Sequence, residues 1–478
     1  MQSPAQSVPA RSKVDAVIDA VRGRIAARQL LQGTRLPSIR ACARSMAVSK
    51  STVVDAYERL AADGVIEARR GSGFYVAAHA PPLQLARIAP QLERAIDPLW
   101  VSRQALDAAA DVLQPGCGWL PPDWVVGEAL RRALRRSARG AAAELVEYAS
   151  PQGSPALRAL LARRLRERGI DAAPAQLVLS AGVTQAVDLL CRMLLEPGDA
   201  VLVDDPCYFN FLALLRAHRV RVVGVPRGAD GPDLGAFEDA LRLHRPRLYL
   251  TQSVLHNPTG GSLSAPLAHR LLRLAEQARL TIVEDDIYAD LDAGAGVRLA
   301  AFDGLQRVVH VGGFSKTISA AARCGYIALR GDWVEPLLDL KVATSFGDGR
   351  IAAELVLGVL GDIAWRRHVQ TLRARLADAG GLALQRLQRL GIVAPQPPAG
   401  GLFAWCLLPD GVDSAQLARQ ALARGLLLAP GNVFSASQRC ASYMRVNVAQ
   451  CQAPAVFERL QRTLDDCARP GPAAGAAQ

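Results

Sequence analysis

Lysine is scarce in this chain. Of 56 basic residues only four are lysines, Lys13, Lys50, Lys316 and Lys341, and histidine occurs 7 times. Where a positive charge alone serves, the chain uses arginine, whose guanidinium stays protonated. An amine can lose its proton and attack a carbonyl to form a Schiff base, so a lysine here hints at chemistry that arginine cannot do. The 9 cysteines run from Cys42 to Cys467 with no Cys-x-x-Cys pair. With so little histidine, that argues against a zinc site and a disulfide framework, and no metal is expected. No stretch approaches the roughly 18 apolar residues of a membrane span, and Met1 to Lys13 lacks the apolar run of a secretory signal. The expectation is a cytoplasmic protein with no membrane partner.

At 478 residues, half of them apolar and 21% charged, the chain can bury large cores and suggests two to four domains. Its net charge of +12 is uneven: residues 1–80 hold twelve Lys/Arg against six Asp/Glu, half of the whole excess. A basic N-terminal module suggests a polyanionic partner.

Within residues 11–78, Val14, Val17, Ile18, Val21 and Ile25 recur at three- and four-residue spacing and predict one helix with a single buried stripe. Leu36-Pro37-Ser38 breaks the chain, and Ser38 can cap a short helix from Ile39 to Met46. After Ala47-Val48, Ser49 can cap a third helix with core face Val53, Tyr57 and Leu60, ended by Asp63-Gly64. Two short helices at a tight turn are the geometry of a helix-turn-helix, whose second helix fits the DNA major groove. The strand-like runs Val65–Arg70 and Phe74–Val76, joined by Gly71-Ser72-Gly73, read as a β-hairpin wing.

Arg35-Leu36-Pro37-Ser38-Ile39-Arg40, Val48-Ser49-Lys50-Ser51-Thr52-Val53, Tyr57 and Arg69-Arg70-Gly71-Ser72-Gly73-Phe74 together resemble the winged helix-turn-helix of the GntR family of bacterial transcription regulators. The resemblance implies double-stranded DNA as partner. Arg40, Ser49, Lys50 and Thr52 would approach base edges or phosphates, Arg35 the backbone and Gly73 the minor groove, with Ser38 in the same contact set. The family more often has arginine where Lys50 stands. Residues 79–110, punctuated by Pro81, Pro82, Pro90 and Pro98, read as a stiff linker in which a helix can begin near 101.

In residues 111–470, Val/Ile/Leu-rich runs alternate with amphipathic helical segments: Leu177–Leu179, Ala200–Asp204, Val220–Val225, Arg247–Thr251, Thr281–Glu284, Val308–Val311 and Tyr326–Leu329. The alternation predicts an α/β fold, a mainly parallel sheet buried by helices on both faces, with ligands at the carboxyl ends of the strands. At those ends stand Ser180-Ala181-Gly182-Val183-Thr184, a small-residue helix start of the kind that holds anions, and Asp205-Pro206-Cys207-Tyr208. They are followed by His256-Asn257-Pro258-Thr259-Gly260, by Glu284-Asp285-Asp286-Ile287-Tyr288 and by Gly313-Phe314-Ser315-Lys316, with Arg323 seven residues on. Tyr443–Ala449 reads as a strand with an inward-facing Arg445. Taken singly, Lys316 reads first as a surface lysine and Tyr208 as a core aromatic.

Taken in order, the series resembles the fold type I aminotransferases, which are built on pyridoxal 5′-phosphate (PLP), from about Gln114 to Asp465. The resemblance implies a PLP domain with a small C-terminal α+β subdomain. It assigns Lys316 to the Schiff base with the cofactor, Asp285 to the pyridine nitrogen, Asn257 and Tyr288 to the ring hydroxyl and Tyr208 to the ring face. The phosphate would be held by the amides of Gly182 and Val183, by Thr184, Ser315 and Arg323, and by Tyr148 of the opposite subunit. Arg445 would clamp a ligand carboxylate. An aspartate that keeps the pyridine nitrogen protonated makes the ring an electron sink. Gly313 and Val183 lack hydroxyls that many relatives carry, and Ala320-Ala321 replaces the usual Pro-Gly. Two lost hydroxyl bonds cost roughly 1–3 kcal/mol together.

The two halves in one chain resemble the MocR subfamily of GntR-type regulators. That implies a homodimer and a transcription regulator that senses an amino-acid or amine effector through external aldimine formation at Lys316. Two alternatives stay open: an active aminotransferase with an appended DNA-binding domain, and a regulator that senses PLP itself.

Overall fold

A computed structural model describes residues 12–26, 30, 34–63, 65–69, 72–76, 98–141, 146–294, 296–398 and 400–468. Gly64, Arg70 and Gly71 of the expected wing module, and residues 79–97 of the expected linker, lie outside the described residues. The chain divides into two compact units, Met1–Arg94 and Ala95–Gln478.

In the first unit, helices α1 (Lys13–Ala26), α2 (Ile39–Ser45) and α3 (Lys50–Ala62) precede strands β1 (Ile66–Arg69) and β2 (Gly73–Val76). The helical stripe closes a core in which Val17 and Val21 meet Val53, Tyr57, Leu60, Ile66 and Val76. Tyr57 also donates from its hydroxyl to the Pro37 carbonyl at 3.1 Å, tying α3 to the turn before α2. Both expected caps form: Ser38 accepts from the Ala41 amide at 3.2 Å and Ser49 from the Thr52 amide at 3.1 Å. Each cap is worth about 1 kcal/mol and fixes where its helix begins. The wing pairs antiparallel, Ile66 against Val76 and Arg69 against Gly73.

The second unit opens with α4 (Pro98–Leu106), inside the stretch read as linker. Proline is tolerated in a first helical turn, where its missing N–H has no partner to lose. Val101 of this helix is buried in the core of the large unit, so that part of the linker belongs to the domain.

Strands β3 (Leu177–Ser180), β4 (Ala200–Asp205), β5 (Arg221–Gly228), β6 (Gly231–Pro232), β7 (Leu248–Thr251), β8 (Thr281–Asp285), β9 (Val308–Gly313) and β10 (Gly325–Ala328) form one sheet in the order β3-β10-β9-β8-β7-β4-β5-β6. The run β9-β8-β7-β4-β5 is parallel, while β10 and β6 pair antiparallel. Apart from β5, which is largely half-buried or exposed, the strands are buried on both faces, which is why they read as continuous apolar runs. Strands β11 (Phe403–Leu407), β12 (Ala429–Pro430) and β13 (Tyr443–Asn447) make a separate antiparallel sheet in the order β11-β13-β12, the core of a small C-terminal α+β subdomain.

Lys341 shows that scarcity alone does not mark a reactive lysine. It is fully buried, and its ammonium donates to the Pro151 carbonyl at 2.6 Å, the Leu179 carbonyl at 2.8 Å and the Asp348 carboxylate at 2.5 Å. Three donors meet three acceptors, which makes this a structural tie between segments far apart in sequence.

Candidate functional site

The parallel register aligns the carboxyl ends of β7, β8 and β9, so the turns that follow them converge. A cavity there is lined by residues that include Thr184, Tyr208, Gln252, Asp285, Tyr288, Ser315, Lys316 and Arg323. Residues 139 positions apart in the chain thus share one wall.

Lys316 follows β9 and donates from Nζ to the Gly118 carbonyl at 2.8 Å. Burial first, and then the nearby Arg445 charge, lower its pKa from 10.5 to about 8. Asp285, at the end of β8, accepts from Gln252 Nε2 at 2.7 Å and from the Ile287 amide at 3.0 Å. Burial raises its carboxyl from 3.8 to about 7. A buried carboxylate supported by neutral donors is short of a cation.

Asn257 donates from Nδ2 to the Tyr288 hydroxyl at 3.3 Å and accepts at Oδ1 from Arg445 at 3.0 Å. Arg445 rises from β13, donates to the Gly116 carbonyl at 2.6 Å and lies over the rings of Phe403 and Phe434, with centroids at 4.3 and 5.0 Å. Its Nε is buried without a hydrogen-bond partner, and among the described residues no carboxylate pairs with it. Burial lowers its pKa and raises those of Tyr208 and Tyr288.

Gly182, with φ 91°, starts the helix Val183–Leu194. A Cβ there would lie 2.8 Å from Arg323 Nη2, so glycine lets the guanidinium approach the helix start. Arg323 itself has φ 43° and donates to the Ala181 carbonyl at 3.2 Å. A left-handed arginine costs about 1–2 kcal/mol and persists only where its surroundings hold it. The missing hydroxyls at Gly313 and Val183 prove to be linked. A Cβ at 313 would meet Val183 Cγ2 at 3.2 Å, so a serine at 313 requires the valine methyl to shift by a few tenths of an ångström.

Tyr148 is not among the residues lining this cavity; it is 83% exposed and pairs with the Phe346 ring at 5.9 Å. Two features were missed in the sequence. Gln252 stands one residue past β7, where the carboxyl-end rule could have found it, and it also accepts from the Asn257 amide at 2.9 Å. The turn Gly116-Cys117-Gly118 supplies two carbonyls to the site. Its glycine content was a signal, but its meeting with Lys316 was not readable.

In the first unit Arg35, Ser38, Arg40, Ser49, Lys50 and Gly73 are exposed and Thr52 is half-buried. The Ser49 hydroxyl is shared with the hydroxyls of Ser51 at 2.8 Å and Thr52 at 2.7 Å, and Ser38 and Ser49 both serve their helices as caps. Among the described residues Arg35, Arg40 and Lys50 have no carboxylate partner, unlike Arg22, Arg59 and Arg69.

Residues 122–462 match the aminotransferase class I and II family, and residues 13–76 match the gntR family of bacterial regulatory proteins. The chain belongs to the class I and II aminotransferase family and, with its GntR module, to the MocR-type regulators. It is 29% identical over 445 residues to the uncharacterized HTH-type transcriptional regulator YdcR of Escherichia coli, covering 91% of this chain and 95% of that one. It is 29% identical over 349 residues to the 2-aminoadipate transaminase of Thermus thermophilus, covering 71% and 85%. Among solved structures, LysN of Thermus thermophilus, an α-aminoadipate aminotransferase complexed with N-(5′-phosphopyridoxyl)-L-leucine, superposes with a TM-score of 0.70. It shares 26% identity, over 77% of this chain and 95% of that one.

PLP is the cofactor of this MocR-type chain, and the cavity fits it. A cation-short carboxylate, a buried phenol and amide, and a glycine-started helix beside an arginine are complementary to a pyridinium, a ring hydroxyl and a phosphate.

The pKa of Asp285 has a measurable consequence. Unfolded, the group titrates near 3.8 and folded near 7, so the folded chain holds an extra proton between those values. Its stabilisation is fully present below about pH 4 and is lost as pH rises through 7, on the order of 4 kcal/mol in total. Lys316, lowered to about 8, works in the other direction between 8 and 10.5. Thermal unfolding of the PLP-free protein from pH 4 to 8 is expected to show the loss, and Asp285→Asn to flatten it. PLP loading is expected to flatten it too. An unchanged slope in Asp285→Asn would exclude this origin.

Proposed function

We propose that this protein is a cytoplasmic, homodimeric, DNA-binding transcription regulator whose PLP domain senses an amino compound, most readily an amino acid. The observation that carries the reading is Arg445, a buried guanidinium with an unpaired Nε and no carboxylate partner among the described residues, set close enough to Lys316 to lower its pKa. That combination suits a ligand with an amino group for the Lys316 end of the cavity and a carboxylate for the other.

Bound in the cavity, PLP supplies an aldehyde that condenses reversibly with amines and a ring that withdraws electrons. The chain's own residues do the rest. Asp285 holds the charge opposite the pyridine nitrogen, and Gln252 orients that carboxylate. Asn257 and Tyr288 would meet the ring hydroxyl, and Tyr208 would cover the ring face. The Gly182 and Val183 amides, Thr184, Ser315 and Arg323 would hold the phosphate, joined by Tyr148 of a second subunit. Lys316, with its lowered pKa, has more neutral amine near pH 7 than an ordinary lysine, and the Gly118 carbonyl orients it by accepting a hydrogen bond from Nζ. Exposed Val146, Tyr148 and Phe346 on the large unit support a dimer, since these apolar groups gain from burial.

In the winged module Arg35, Arg40 and Lys50 are free to meet phosphates or base edges, with Ser38, Ser49, Thr52 and Gly73 beside them. A ligand shifts the DNA modules only by as much as it prefers one state of the dimer. A second reading, an enzyme that turns over, draws support from the likeness to the Thermus transaminase.

Selecting DNA fragments with the purified protein, then screening amines for an effect on both DNA binding and the visible spectrum, tests the proposal. Arg40→Ala or Lys50→Ala is expected to cost about 1–3 kcal/mol of DNA affinity with the spectrum unchanged. Unchanged affinity in both variants at fixed salt would put the reader elsewhere. Rapid multiple turnover with a 2-oxo acid would favour the enzyme.

A further inference from the structure

Three guanidinium groups meet at Asp290, five residues beyond Asp285. Arg164 and Arg168 both donate to its Oδ1, at 2.5 and 2.6 Å, and Arg373 donates from Nε to its backbone carbonyl at 3.0 Å. These groups stand on a cleft of about 440 Å³ walled on one side by Trp365. The other arginines there are matched: Arg298 by Asp286 at 2.7 Å and Asp292 at 3.1 Å, Arg366 by Glu167 at 3.9 Å. Among the described residues Arg373 makes no ion pair. Together the five arginines face four carboxylates, Glu167, Asp286, Asp290 and Asp292, which leaves a surplus of one positive charge beside groups largely out of water: Arg164 is 17% exposed, Arg168 18% and Asp290 8%. Charge held this way calls for a counter-ion.

We propose that this cleft is a second ligand site, for a small phosphate-bearing molecule, and that it reports to Lys316 through Asp290. A phosphate monoester carries about −1.5 to −2 at pH 7, enough to neutralise the surplus and to compete with Asp290 for its arginines, and guanidinium forks suit its oxygens. Trp365 offers an apolar wall to the rest of the molecule. Asp290 is the link because its second oxygen, Oδ2, accepts from Thr317 Oγ1 at 3.3 Å, and Thr317 is the residue next to Lys316. An anion that draws Arg164 and Arg168 from Oδ1 changes the hold of Asp290 on Thr317 and with it the setting of the lysine. The coupling is reciprocal: a ligand at Lys316 alters phosphate affinity by the same factor. The site does not rest on the sensing of amines, and either can fail alone.

The test uses the full-length protein loaded with PLP, so that the phosphate cradle beside Arg323 is taken. Calorimetric titration with inorganic phosphate and with glycerol 3-phosphate at constant ionic strength is expected to show one saturable site per chain, with succinate much weaker. Binding by inorganic phosphate alone supports free phosphate as the ligand; tighter binding by the ester supports a phosphorylated metabolite. Arg373→Gln, which leaves the Arg164 and Arg168 pairs to Asp290 in place, is expected to weaken binding roughly tenfold or more. In the wild type, phosphate is expected to move the pH midpoint of the visible band; in Thr317→Val it is expected to bind without moving it. No saturable binding by either phosphate, equal affinity in Arg373→Gln, or succinate as tight as phosphate overturns the site. Binding without a shift in the wild-type midpoint overturns the coupling.

Discussion

Lys316→Ala is expected to abolish the lysine-dependent visible absorption band of the PLP-loaded protein and, with it, every effect of an amine on DNA binding. The other cofactor-directed residues stay in place in this variant, so PLP still binds, held by its ring and phosphate contacts. DNA affinity without an amine is expected to stay within about twofold of wild type, because the caps and core of the winged module are complete within that unit. The opposite pattern, an intact amine response without Lys316, would take the lysine out of the sensing step and leave the cavity as a simple binding site. Absorbance and DNA binding, measured on the same preparation, read the two halves of the expectation separately.

Arg445→Met is expected to divide ligands by their carboxylate. Amino acids should lose about 2–5 kcal/mol of binding, or roughly 30-fold to several-thousand-fold, while amines without a carboxylate keep their affinity. Methionine is chosen because Arg445 packs against Phe403 and Phe434 and because truncation would open a cavity. It leaves Asn257 Oδ1 and the Gly116 carbonyl without a donor, so thermal stability should fall as well. Comparing ligand classes within the one variant removes that common loss. Equal weakening of both classes would mean that Arg445 supports the cavity instead of reading the ligand.

Strands buried on both faces are apolar along most of their length, and that is why six of the seven Val/Ile/Leu runs could be read directly and their carboxyl ends searched for chemistry; the seventh, Val220–Val225, lies on the half-exposed β5. The winged module was legible for a different reason: Ser38 and Ser49 announce the helix starts, and Tyr57 marks the buried face. Helix α4 was not legible as part of the large unit, because its burial depends on a core completed by residues hundreds of positions later. Gln252 and the Gly116–Gly118 carbonyls were hidden for the same reason; a backbone oxygen carries no sequence signal, and Gly118 meets Lys316 across 198 positions. The pairing of Val183 with Gly313 changes the meaning of two departures from the family pattern. Each looked like a lost hydroxyl, but the two positions touch: any side chain at 313 would press its Cβ to 3.2 Å from the valine methyl. Lysine scarcity was a partial guide, since Lys341 is equally rare in type and purely structural.

The central claim is that an amino compound acting at Lys316 changes the hold of the winged module on DNA. The direct measurement is the affinity of the full-length, PLP-loaded protein for its selected DNA fragment, with and without saturating amino acid, in wild type and in Lys316→Ala at one salt concentration. A shift in the wild type of about fivefold or more, absent in Lys316→Ala, is the predicted result. Equal DNA affinity with and without an amino acid that demonstrably alters the visible spectrum of the wild type would contradict it.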